Sequence, residues 1–254
     1  MPQLNYHAAM NLFYEITGDD LRTITFIHGL GSESRFFSKL REYGGFQNYR
    51  LLLIDLLGFG RSDKPEQFDY AMSSQAEVCI RLFDFLGIQE TVLVGHSMGG
   101  VIGQLIAERF PVSEFINCEG NLILADCKTS AEISRKGLSE FETVGFDELK
   151  GGAVGTPFYE GYCQTTANAM YHSARQLVES CQNGNLLDRF VKLPLPKLYV
   201  YGQRTQGKRK SEQSLIAHGV AIKYIPDSGH NMIIENPDEF CRVAADFLRE
   251  AQKY

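Results

Sequence analysis

The pentapeptide Gly95-His96-Ser97-Met98-Gly99 constrains this chain more than any other stretch, because of what flanks it. Thr91 to Val94 is a short β-branched and apolar run that reads as a buried strand. Val101 to Phe110 has helical spacing and stops at Pro111. A chain that leaves a strand and enters a helix at once must turn tightly, so the residues beside the apex must be small. Glycine at 95 and 99 meets that demand, and the turn pushes the serine out at the carboxyl end of the strand. In an open parallel sheet, ligands bind at that end. A serine displayed there can act as a nucleophile once a base lies beside it. The plain alternative is a glycine-rich strand–helix turn without chemistry, and the strand before and helix after weigh against it.

The remaining pattern supplies the sheet. Leu12 to Thr17, Thr23 to Ile27, Arg50 to Asp55, Glu114 to Cys118, Pro196 to Tyr201 and Ala221 to Ile225 read as strands. Helical segments fall between them at Ser34 to Tyr43, Ser73 to Leu86 and Lys210 to His218, and the last helix runs from Pro237 to about Ala251. Buried runs alternating with helices predict an α/β fold, a mostly parallel sheet with helices on both faces. The alternation breaks from about Leu122 to Val191, where helical stretches at Ser130 to Leu138 and Thr166 to Ser180 surround no convincing strand. The expected organisation is a core of residues 1–120 and 192–254, with 121–191 inserted over the sheet as a helical cap.

Gly-His-Ser-Met-Gly-Gly at 95–100 resembles the elbow of lid-bearing α/β-hydrolases, and the resemblance covers nearly the whole chain. His28-Gly29-Leu30-Gly31 looks like that family's oxyanion loop. Asp55 to Ser62 looks like its D-x-x-G-x-G-x-S segment, with Leu57 where proline is usual, and Ser228 to Met232 looks like its histidine loop. The resemblance implies Ser97 as nucleophile, His230 as general base, and the backbone N–H groups of Leu30 and Met98 as the oxyanion hole. Of the other histidines, His96 is expected to point away from the nucleophile and His28 to organise its loop. His7, His172 and His218 fall in an N-terminal strand, the cap and a surface helix.

The acid departs from the commonest pattern. The usual position, three residues past Gly202, holds Thr205, and Gln203, Arg204 and Gln206 offer no carboxylate. Haloalkane dehalogenases and their luciferase relatives carry a glutamate at the end of the preceding strand, which here is Glu119. Asp126 is the alternative acid. A third possibility leaves Glu119 as a mere cap of the following turn. Asp55, on another strand, is expected to be structural.

A net charge of −6 argues against nucleic acid as the main partner. The one basic run, Arg204 to Lys210, reads as a solvated loop leading into a helix, and no arginine or lysine stands out as a carboxylate clamp. Six cysteines form no CxxC pair, which suggests a reducing compartment. No charged n-region precedes an apolar stretch and no apolar run approaches membrane-spanning length, so a cytoplasmic protein is expected. The expected reaction is hydrolysis of a small carboxylic ester, thioester or lactone through an acyl-enzyme, with no cofactor or metal. Phe141, Phe146, Phe158, Tyr159, Tyr162, Met170 and Tyr171 suggest an apolar acyl or ring group on the substrate, though each could instead form the cap's own core. The same residues also suit a cofactor-free dioxygenase, a lyase, a C–C hydrolase or a non-catalytic receptor. Substrate and oligomeric state are not legible.

Overall fold

Strands β3 (Thr23–Ile27) and β5 (Thr91–His96) are buried at every position, as continuous apolar runs demand of strands covered on both faces. They lie at the centre of an eight-stranded sheet of order β1-β2-β4-β3-β5-β6-β7-β8. The structure is a computed structural model that describes residues 3–6 and 10–252, so the expectation for His7 lies outside the described residues. β1 (Gln3–Tyr6), β2 (Met10–Thr17) and β4 (Arg50–Ile54) pair antiparallel in that order. From β4 through β3 and β5 to β6 (Val112–Cys118), β7 (Lys197–Gly202) and β8 (Ala221–Ile225), every pairing is parallel.

Alternate strand residues feed two cores. Leu52, Ile54 and Leu93 pack with helices α1 (Met72–Phe85) and α2 (Met98–Ala107) on one face. Leu51, Leu53, Val92 and Val94 pack on the other, against a 3-10 helix, Ser34–Glu42, and the C-terminal helix Pro237–Ala251. The Ser34–Glu42 segment was expected as an ordinary helix. Its tighter winding stacks Ser34, Phe37 and Leu40 at three-residue intervals, and all three are buried.

Six α-helices lie between β6 and β7: α3 (Lys128–Arg135), α4 (Leu138–Glu140), α5 (Phe146–Ala153), α6 (Tyr159–Cys163), α7 (Ala167–Asn183) and α8 (Leu186–Lys192), with a 3-10 turn at Leu124–Asp126 and a π-helical turn at Phe141–Gly145. Ile133, Phe141, Phe146, Met170, Tyr171 and Ala174 form a small core of their own there. Phe190 of α8 instead joins the main core beside Phe115 and Tyr199. After β7 come α9 (Lys210–Ala217), α10 (Met232–Glu235) and α11 (Pro237–Ala251), the last opening with proline at its first turn.

The elbow is as crowded as its glycines imply. A Cβ on Gly99 would collide with the Ile27 carbonyl oxygen, and one on Gly95 with the Gly99 carbonyl. Both obstacles are backbone, so neither can swing aside. Gly99→Ala is therefore expected to lower stability by about 3 kcal/mol, the upper end of the usual overpacking cost. Urea unfolding should show a lower midpoint at unchanged m-value. An unchanged midpoint would mean that α2 can lift away from β3 at little cost.

Candidate active site

Ser97 stands between β5 and α2 with φ +53° and ψ −118°. Such left-handed backbone costs a non-glycine residue about 1–3 kcal/mol and persists only where its surroundings fix it. Its N–H donates to the Cys118 carbonyl at 3.0 Å, which carries the β5–β6 ladder up to the turn. Ser97 lines a pocket of about 370 Å³ at the carboxyl end of the sheet. The loop after β3 presses on it from one side, since a Cβ on Gly29 would lie 3.0 Å from the Ser97 Cβ. Leu30 lines the same pocket. Met98 is the first residue of α2, where a backbone N–H has no partner inside the helix.

Glu119 follows β6 and also has positive φ, +47°. Its side chain is wholly buried, yet every lone pair it offers is used. Oε1 accepts the Gly202 N–H at 3.1 Å and the Thr205 hydroxyl. Oε2 accepts from Arg209 at 2.8 Å and lies 2.8 Å from His230 Nδ1. Burial alone would raise this carboxyl's pKa. The His230 hydrogen bond and charge, then Arg209 and Thr205, outweigh burial and hold it at about 2. A carboxylate kept ionised at 2.8 Å from Nδ1 calls for a proton on that nitrogen, which leaves Nε2 as the imidazole's lone pair. Arg209 also comes within 3.0 Å of Nδ1, but with that proton in place the guanidinium's acceptor is Glu119.

The ionised Glu119 ties stability to pH. Its pKa is lower folded than unfolded, so its contribution is fully present above the ordinary value of 4.5 and disappears as pH falls toward 2. A shift of this size corresponds to about 3 kcal/mol. Urea unfolding between pH 5 and pH 2 should show the wild type losing about that much more than Glu119→Gln. Parallel losses in the two proteins would show that the carboxylate is not stabilised by its partners.

Three residues gain significance only in the structure. Arg209 belongs to the run expected as a solvated loop. It is mostly buried, donating to Glu119 and to the Asp126 carbonyl, the latter at 3.1 Å. Burial works against its charge, and Glu119 more than offsets that. Arg204 of the same run pairs with Glu235. A charge pattern cannot reveal that a buried acid 90 positions upstream needs a counterion. Asn121 accepts from the Ser97 hydroxyl at 3.5 Å and donates to the Asp126 carbonyl at 2.9 Å. Nothing in the sequence around Asn121 marks it. His96 was expected to point away. Its ring lies 4.7 Å from that of His230, lines the pocket, and bonds through Nε2 to the His230 carbonyl at 2.8 Å. Burial, then the neighbouring His230, pushes its pKa down to about 3, so His96 is neutral. It packs between the Phe36 ring and His230 as a wall.

The remaining expectations sort by contact. Asp126 reaches the pocket, but its Oδ2 accepts the Leu122 and Ile123 N–H groups at 3.2 and 3.3 Å. Asp55 accepts the Ser34 and Arg61 N–H groups and holds loops together. His28 accepts from the Leu56 N–H through Nε2 and holds the Gly29 carbonyl through Nδ1, so it fixes the start of its loop. His172 lies on α7, and His218 follows α9. Of the aromatic candidates, Phe158 and Tyr162 line the pocket, whereas Phe141, Phe146, Met170 and Tyr171 are buried in the small core. Tyr159 is exposed.

A mostly parallel sheet bearing a serine at a strained strand–helix turn defines an α/β-hydrolase fold. The chain belongs to the alpha/beta hydrolase family, whose profile matches residues 26–243. It is similar to Lipase 3 of Moraxella sp. (strain TA144), with 35% identity over 97 residues, 38% of this chain and 29% of that one. Its fold is similar to an esterase from Exiguobacterium antarcticum, with TM-score 0.80 and 17% identity over 97% of this chain and 98% of that one. A structure from work on carboxylesterases of Nitrososphaera gargenis gives TM-score 0.82 and 18% identity, covering 99% of both chains. No helix among the described residues is long and apolar enough to cross a membrane.

Proposed function

We propose that this chain is a serine hydrolase that cleaves a small carboxylic ester, thioester or lactone through an acyl-enzyme. The observation that carries the reading is the 2.8 Å contact of His230 Nδ1 with a buried, ionised Glu119, in the pocket that Ser97 lines. In this reading Ser97 Oγ turns from Asn121 toward His230 Nε2, gives up its proton and attacks the carbonyl carbon. The Leu30 and Met98 N–H groups receive the negative oxygen of the tetrahedral intermediate. His230 returns the proton to the leaving group, and a water repeats the sequence to release the acid. Glu119 keeps the imidazole in the right tautomer and balances its cation. Residues 121–191 act as the cap, and Leu30, Phe158 and Tyr162 offer an apolar wall to an acyl chain or ring. The esterases and the lipase to which this chain is similar support the same class of reaction.

The test is hydrolysis of p-nitrophenyl esters from acetate to decanoate by wild type and Ser97→Ala in parallel. Turnover by wild type alone is expected, strongest for short and medium chains, since a pocket of about 370 Å³ lies at the lower end of ligand-site volumes. A wild type inert toward the whole series would overturn the proposal for simple esters.

A further inference from the structure

The first turn of α3 opens into the pocket that Ser97 lines: Cys127, Lys128, Thr129 and Ser130 all belong to its wall. A helix start normally carries a side-chain cap and acidic residues, because its free N–H groups sum to a partial positive charge. Here the N-cap is Cys127, which makes no capping hydrogen bond, and the first turn holds no acid. It holds Lys128 instead, a cation at the positive end of the helix. That arrangement is unfavourable when empty and becomes favourable with an anion on it.

Independent observations point the same way. Ser130 is only 5% exposed, yet its hydroxyl has no hydrogen-bond partner among the described residues, and it faces the pocket. Lys208 lines the pocket from the loop before α9. Neither Lys128 nor Lys208 forms an ion pair among the described residues, although Glu132 follows Lys128 by one helical turn. The charged residues in the wall are Lys128, Lys208 and Arg209 against Asp126 alone, in a chain of net charge −6. Arg209 is committed to Glu119, and Asp126 accepts two backbone N–H groups through Oδ2 while its Oδ1, buried, has no partner among the described residues. The two lysines, the Ser130 hydroxyl and the α3 N–H groups are thus left as donors without acceptors, beside a reactive serine.

We propose that this wall is an anion subsite, and that the substrate carries a carboxylate or phosphate group seated on the start of α3 between Lys128 and Lys208. The proposal rests on the ester-hydrolase reading and narrows it from neutral acyl chains to acyl or alcohol parts with a negative tail. Arg209 has no part in it, because moving it would strip Glu119 of its counterion.

The experiment compares kcat/KM for 4-nitrophenyl hydrogen adipate and 4-nitrophenyl hexanoate, two esters matched in acyl length and differing by one carboxylate. Wild type is expected to prefer the anionic ester by about tenfold or more, as a charge-assisted hydrogen bond would give. In the double variant Lys128→Gln with Lys208→Gln the ratio should fall to near one. Calorimetric titration of both proteins with adipate and, separately, inorganic phosphate judges the subsite without turnover. Binding to wild type that weakens about tenfold or more in the double variant is expected, and the tighter of the two ligands identifies the group. If both esters are hydrolysed at one ratio by both proteins and neither anion binds, the subsite is overturned and the hydrolase reading stands. If no ester is hydrolysed but anion binding depends on the lysines, the subsite stands and the hydrolase reading falls.

Discussion

Ser97→Ala is expected to abolish ester turnover, by about 10⁶-fold in kcat, with almost no change in stability. In the proposed mechanism the large first number follows from removing the atom that forms the acyl bond. Neither an intact imidazole nor an intact oxyanion hole replaces it, and what persists is the modest rate those groups give to direct attack by water. The small second number follows from the local structure. Ser97 holds φ at +53°, and alanine at the same φ has the same Cβ, so the backbone strain is unchanged. The only side-chain bond lost is the long 3.5 Å contact with Asn121, an interaction at the distance limit of a hydrogen bond. Thermal unfolding should therefore shift by less than about 0.5 kcal/mol, the range of substitutions that break nothing of weight. Steady-state rates with the best p-nitrophenyl ester, corrected for background, give the first number. Retention of more than a few per cent of activity would move the nucleophile elsewhere.

Much of this architecture could be read from local pattern, and its limits are physical. The strands announce themselves because both faces of a parallel sheet are covered, so β3 and β5 are β-branched and apolar, and even their threonines are buried. The elbow announces itself because two backbones meet where only glycine fits, at Gly95 and Gly99. The Glu119–His230 contact was anticipated only through the family resemblance, which offers a second acid position where the usual one holds Thr205. The structure adds that the Thr205 hydroxyl donates to Glu119, so the residue that lacks a carboxylate supports the one that has it. Arg209 could not be anticipated. Its partner is distant in sequence, and a buried counterion among exposed lysines and arginines looks like any other charge. The wall between β6 and β7 was equally opaque. Periodicity located α3 and α7, but not that Phe158 and Tyr162, with Tyr162 packed on Gly31 of the loop after β3, line the pocket while Phe141 and Met170 fill a core.

Glu119→Gln should lower kcat by about 10⁴-fold, the loss that follows when a catalytic imidazole is left in the wrong tautomer. The carboxylate accepts from four donors: Gly202 N–H, Thr205 O–H, Arg209 and His230 Nδ1–H. An amide has one oxygen to accept and one nitrogen that can only donate. If the nitrogen faces His230, Nδ1 must become the acceptor, the proton moves to Nε2, and the lone pair that would take the Ser97 proton is gone. If the nitrogen faces Gly202 and Thr205 instead, the tautomer survives, but a buried N–H is set against another. In either orientation Arg209 loses its counterion. The four donors imply a variant that folds but is weaker by about 3 kcal/mol, the lower end of the cost of breaking a buried ion pair. Activity must therefore be measured well below the variant's own unfolding temperature. There, a KM near wild type with a collapsed kcat is the signature of a lost tautomer, since the pocket wall proposed to take the acyl group is untouched. Near-wild-type kcat in a protein of lowered stability would separate the two roles, leaving Glu119 as the buried partner of Arg209 and assigning the orientation of His230 to another group.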